Sequence, residues 1–166
     1  MSFELKRLPL EGVARAKKKA EQYRLLNEPR QAESICLDIL EVAPDDEDVI
    51  VLLLLARTDQ FAKEVGARVN GTRELLDRLS SEYDRRYYAG VICERWGKAQ
   101  LTRHRPGSGH YVYSWLREAM EHYEQARQLD PQASDPVLRW NACARLIQLH
   151  PHLEEAPEED FTPLLE

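Results

Sequence analysis

Residues 103–110, Arg-His-Arg-Pro-Gly-Ser-Gly-His, set two guanidiniums and two imidazoles beside two glycines. Arginine side chains and free backbone N–H groups in such a loop are the components of a phosphate or acidic-peptide contact. Arg103, Arg105 and His110 are the anion-contacting candidates, with His104 between them, although an ordinary exposed insertion would carry the same residues. His150-Pro151-His152 followed by Glu154 offers metal-ligand types, but two imidazoles at that spacing in an open tail fall short of a zinc donor set. No metal and no cofactor is expected. Cys36, Cys93 and Cys143 are an odd number without any CxxC pair, which argues against a disulfide framework or a zinc knuckle and for three small buried hydrophobes. Gly90 and Gly97-Lys98 are seven apart rather than five, so there is no phosphate loop, and HExxH and GxSxG are absent. With no nucleophile or acid–base pair at motif level, the chain reads as a non-enzyme.

The elements that would carry these residues are helices. Val13, Ala16, Ala20 and Tyr23 form one apolar stripe of a helix from about residue 11 to Asn27. Pro29 stands at a first-turn position for a second helix, whose apolar face is Ala32, Ile35, Cys36, Ile39 and Leu40 and which Pro44 ends. Acids at the first turn and an apolar run at 49–56 predict a third helix, central and buried on most sides. Gly66 and Asn70-Gly71 suggest a turn before a short fourth helix carrying Leu75, Leu76 and Leu79. A fifth helix runs from about Ser81 to Thr102. Beyond the 103–110 loop, Val112, Trp115, Leu116, Ala119, Met120, Tyr123, Ala126 and Leu129 define the sixth. Asp135-Pro136 opens a seventh, with Val137, Trp140, Ala144 and Ile147 as its expected buried side. No period-two alternation predicts a strand.

The 166 residues suffice for one domain that buries about two thirds of its unfolded surface. Residues 153–166 hold six acids (Glu154, Glu155, Glu158, Glu159, Asp160 and Glu166) and no Lys or Arg, which accounts for the whole net charge of −6. The remainder is balanced, so no basic field favours nucleic acid. The N-terminus lacks the apolar core of a secretory signal, and the longest apolar run, eight residues at 49–56, is too short for a membrane span. A cytoplasmic protein without membrane or nucleic-acid partners is expected. It is divided into an N-terminal segment (1–10), a helical domain (11–149) and an acidic tail (150–166). Phe161, Leu164 and Leu165 give that tail the acidic-apolar mix of a segment that orders on binding, so it could fold back on a cationic groove.

Two stretches share one spacing: Ala32, Cys36, Ile39, Pro44 and Ala119, Tyr123, Ala126, Pro131 are each separated by four, three and five. Ala20-x-x-Tyr23 lies upstream of the first, and Trp140-x2-Cys143-Ala144-x2-Ile147 repeats the opening pattern at the end. Small residues let paired helices approach, aromatics fill the gap beside them, and Pro closes the pair. Together these motifs resemble the 34-residue tetratricopeptide repeat. They are distinct only in residues 12–45 and 120–149; the middle is degenerate, with surplus residues around 62–71 and 103–113.

The resemblance implies an all-α, right-handed α-solenoid of antiparallel helix pairs, about three hairpins and a C-terminal capping helix. It also implies a non-catalytic scaffold that binds a peptide or helix of a partner protein in a concave groove. By position the groove residues are Lys17, Glu21 and Arg24 in the first repeat and Asn141, Arg145 and Gln148 in the capping helix. The family's clamp for a C-terminal carboxylate has Lys-x3-Asn, whereas Lys17 is followed by Glu21, which counts against that ligand. Eight of the thirteen aromatics fall between Tyr83 and Tyr123. Tyr87, Tyr88, Tyr111 and Tyr113 are thus surface-contact candidates. The alternative function is a self-associating homodimer using this aromatic hairpin and the apolar third helix; an anion binder or enzyme built on residues 103–110 comes third.

Overall fold

The computed structural model describes residues 3–63, 69–103 and 105–157, which are all helix and connecting turn, with no strand among them. A 3-10 turn, Leu10–Gly12, leads into α1 (Val13–Leu25), followed by α2 (Pro29–Val42), α3 (Glu47–Thr58) and α4 (Val69–Arg73). The short α4 passes into a 3-10 turn, Glu74–Arg78, and then come α5 (Glu82–Thr102), α6 (Gly109–Leu129) and α7 (Asp135–Leu149).

Local chemistry explains most boundaries. Asn27, at φ 59°, takes the left-handed position that ends α1. The N–H groups of Asn27 and Glu28 bond the Arg24 and Tyr23 carbonyls at 3.1 and 2.9 Å, a Schellman closure. Pro29 starts α2 at once, where its missing N–H costs nothing. Asp46 caps α3 by accepting from the Val49 N–H at 3.3 Å, and Ser81 caps α5 by accepting from Asp84 at 3.2 Å. Asn70-Gly71 departs from expectation, because both residues lie inside α4 rather than in a turn. Val69 and Thr72 are buried there and Arg57 donates to the Gly71 carbonyl at 3.3 Å, so tertiary anchoring outweighs breaker propensity. The expected turn at Gly66 lies outside the described residues.

Each helix packs chiefly on its neighbours in sequence: α1 on α2, α2 on α3, α5 on α6 and α6 on α7. Two apolar clusters result. One gathers α1 to α5 around Ala20, Cys36, Ile39, Ile50, Leu53, Leu54 and Ile92; the other gathers α5 to α7 around Val91, Cys93, Leu116, Met120, Tyr123 and Cys143. Leu55, Tyr88 and Trp115 touch both clusters and join them. α3 is central as expected, with seven of its residues buried. The three cysteines are free and buried. Ala20 and Ala32 are wholly buried, in keeping with close helix contact. No described helix is long and apolar enough to cross a membrane.

The seventh helix corrects the sequence reading. Val137 and Trp140 are 41% and 37% exposed, and the buried residues of α7 are Pro136 and Cys143. Ala144 and Ile147 do pack half-buried on the second cluster as expected, beside the buried Cys143. The chain after α7 also turns back: Leu153, only 4% exposed, joins the second cluster.

Candidate functional site

The odd-numbered helices are tied side to side by charged groups. Lys17 of α1 pairs with the α3 cap Asp46 at 2.9 Å and with Asp48 at 3.2 Å. Hydrogen bonds to these acids, Asp46 foremost, hold the Lys17 ammonium above its ordinary range despite partial burial. At the other end of α3, Asp59 receives Arg24 of α1 at 2.6 Å and also Arg95 of α5. Burial lowers the Arg95 pKa, and the Asp59 charge opposes that shift. Between these two clasps, Val51 and Leu55 lie on the α3 stripe that runs from Asp48 to Asp59, and both are half-buried. Tyr88, half-buried on α5, packs against the same cluster. Half-buried apolar side chains of α3 and α5 thus lie between two ion-pair clasps.

α5 is tied to α7 by a buried carboxylate. Glu94 is 2% exposed and accepts from the Tyr123 hydroxyl at 2.5 Å, from Arg139 at 3.2 Å and from Lys98. Burial alone would raise its pKa, but Lys98, Tyr123 and Arg139 together hold it below the usual carboxylate value. Arg139 also donates to the Tyr87 hydroxyl at 3.0 Å. Tyr123 reaches Glu94 only because Gly90, one helical turn away, has no side chain: a Cβ there would stand 2.5 Å from the Tyr123 ring.

A concave feature opens between α4, the end of α5 and the start of α6. Trp96, Tyr111 and Trp115 wall a cleft of about 630 Å³ that Arg103 and Arg105 also line. The rings meet edge to face, with Trp96 and Trp115 centroids 6.4 Å apart and Tyr111 and Trp115 6.2 Å apart. Trp96 donates its indole N–H to the Tyr111 hydroxyl at 3.2 Å.

Among the described residues, Cys93, Glu118 and His122 form one group of metal-ligand types, with donor atoms within 4.8 Å of one another. Arg73 already occupies that centre, donating to Cys93 Sγ at 3.3 Å and to Glu118 at 2.7 Å while its guanidinium lies over the Trp115 ring at 4.8 Å. Burial pushes the Cys93 thiol up to about 12 and pushes His122 below its ordinary value. A cation bonded to two of three donors and a protonated thiol make this a structural clamp instead of a metal centre.

No protein-family model matches the chain, and no curated protein matches it.

The residues singled out by sequence are thus distributed unevenly. Lys17 and Arg24 are committed to α3 acids, while Glu21 beside them is exposed. Asn141 borders a recess of about 220 Å³ with Trp140, Pro136 and Tyr123, and Arg145 and Gln148 are exposed on α7. It is Arg139 that links α7 to α5. Arg103 and Arg105 line the aromatic cleft together, with Arg103 donating to the Phe61 carbonyl at 2.9 Å and lying 5.6 Å over Trp96. His110 turns away and donates from Nδ1 to the Glu154 carbonyl at 2.8 Å. His104 lies outside the described residues. The rings of His150 and His152 meet edge to face at 5.6 Å. Sequence reasoning missed Val51 and Leu55, which look like core inside an apolar run, and Asp59, Arg139 and Gln100, whose partners lie 35 or more residues away or are absent.

Proposed function

We propose that the protein is a non-catalytic adaptor, a tetratricopeptide-like solenoid of antiparallel helix pairs whose odd-numbered helices line a groove for a peptide or helix of a partner protein. The observation that carries the reading is the side-by-side tying of α1 to α3 and of α3 to α5 by the Lys17–Asp46–Asp48 and Arg24–Asp59–Arg95 clasps. Between the clasps Val51, Leu55 and Tyr88 are half-buried, and in this reading they are the apolar floor of the groove. The small residues Ala20, Ala32, Ala119 and Ala126 of the repeat spacing are all wholly buried, which supports the reading. Because the groove cations are neutralised within the chain, the partner segment is an apolar or amphipathic one that fills the floor, with polar contacts at the rim from Glu21 and Asp48.

Photo-crosslinking residues at Glu21 and Asp48, in cells that make the protein, test this against the same residues at Leu37 on α2 and Arg117 on α6. One protein crosslinked reproducibly from the first two positions and not from the others is the expected result. Equal labelling from all four, or adducts to the protein itself alone, overturns the groove.

Self-association is the second reading, and the surface that favours it is not the one the sequence suggested. α3 is spent in the core, whereas α7 exposes Val137, Leu138 and Trp140. That apolar face would sit at the axis of an isologous dimer.

A further inference from the structure

The cleft between α4, α5 and α6 is lined by two guanidiniums and, among the described residues, by no carboxylate. Its lining is therefore cationic in a chain whose net charge is −6. Arg103 is positioned in advance, because it donates to the Phe61 carbonyl at 2.9 Å and lies 5.6 Å over the Trp96 ring. Arg105 is exposed on the loop that lines the same cleft.

The neutral polar groups of the lining are donors as well. Gln100 is 7% exposed and lines the cleft, and its Nε2 is buried without a hydrogen-bond partner. A buried N–H without an acceptor costs stability, and an oxygen entering the cleft removes that cost. The Tyr111 hydroxyl accepts the Trp96 indole N–H at 3.2 Å, which leaves its own proton to donate. Asn70, exposed, adds an amide.

Donors of this kind fit an oxyanion, and charge narrows which one. A phosphate monoester carries about −1.5 to −2 near neutral pH and three acceptor oxygens, so it balances two guanidiniums as a single carboxylate does not. At about 630 Å³ the cleft also has room for a small organic group beside the phosphate.

We propose that this cleft binds a small phosphate monoester. Its oxygens take the Arg103 and Arg105 guanidiniums and the Gln100 N–H, and the ester group rests at the rim by Tyr111 and Pro106. Trp96, Tyr111 and Trp115 keep their edge-to-face contacts and act as the apolar wall. Arg105 tunes affinity, since its side chain is exposed and its replacement leaves the packing of the cleft intact. The site is separate from the groove proposed on α1, α3 and α5, and either can fail without the other.

The test titrates the full chain with glycerol 1-phosphate, and in parallel with succinate, at ionic strength fixed with sodium chloride, by calorimetry and NMR. Saturable binding of the phosphate is expected, with shifts centred on Asn70, Trp96 and Tyr111 and with succinate clearly weaker. Arg105→Gln should weaken it by about tenfold, the loss of one charge-assisted contact, at an unchanged melting temperature. Gln100→Leu separates a ligand role from a structural one. It should raise the melting temperature of the free protein by about 2–4 °C, because it removes an unpaired donor, and should weaken phosphate binding. Absence of saturable binding, succinate bound as tightly, affinity indifferent to Arg105→Gln, or a Gln100→Leu variant that melts lower and binds as well would each overturn the site.

Discussion

Gly90, Tyr123 and Glu94 illustrate how one missing side chain organises a helix pair. In an exposed helix interior, replacing Gly with Ala gains about 0.5–1 kcal/mol. At position 90 the new Cβ would stand 2.5 Å from the Tyr123 ring, so Gly90→Ala should instead destabilise by about 1–3 kcal/mol, as overpacking does. The same shift would loosen the Tyr123–Glu94 hydrogen bond of 2.5 Å. Urea unfolding of Gly90→Ala, Tyr123→Ala and the double variant checks this: the double should lose clearly less than the sum of the singles. A more stable Gly90→Ala would show that the ring does not lie on the helix backbone.

At the scale of elements, the return of the chain after α7 depends on the first residue of α6. A Cβ at Gly109 would strike the His152 carbonyl, so Gly109→Ala should lift residues 150–154 from α6. Leu153 would then lose a burial worth about 1.5–3 kcal/mol. Hydrogen exchange at 150–155 should rise sharply in this variant and equally in Leu153→Ser, while α1 and α2 stay protected; unchanged exchange would show that the contact is not holding the segment. The exposed face of α7 follows the same logic. Arg139 bonds Glu94, Ala144 and Ile147 pack on the second cluster, and Val137 and Trp140 in the first half of the helix stand exposed.

Taken whole, the described residues form two apolar clusters that share α5, which gives Ile92 and Ala99 to one and Val91 and Cys93 to the other. Leu55, Tyr88 and Trp115 touch both, and α3 also contacts α1 and α5. Trp115→Ala, which removes ring contacts to Trp96 and Tyr111 and the seat of Arg73, should cost about 3–5 kcal/mol. Because α5 belongs to both clusters, amide protection should fall in α3 and α5 together; exchange that rises in α6 and α7 alone would show that Trp115 does not couple the clusters.

The sequence by itself determined the seven helices and most of their ends, because Pro29, Asn27, Asp46 and Ser81 act through contacts within one turn of themselves. It also determined the burial of Ala20, Ala32, Tyr123 and the three cysteines, since a 3.6-residue period directly reports which face is apolar. What tertiary structure decided involves partners distant in sequence. Asn70-Gly71 is helical because Arg57 and two buried neighbours hold it, and no local signal carries that. Lys17 and Arg24 were legible as cations of α1, but only the packing of α3 beside α1 revealed that Asp46, Asp48 and Asp59 neutralise them. Arg103 and Arg105 were legible as loop cations, while the cleft they share with Trp96, Trp115 and Gln100 exists only once α4, α5 and α6 meet. Periodicity encodes which residues turn inward; which charges meet there depends on the relative rotation of whole helices, as at the buried pairing of Glu94 with Arg139.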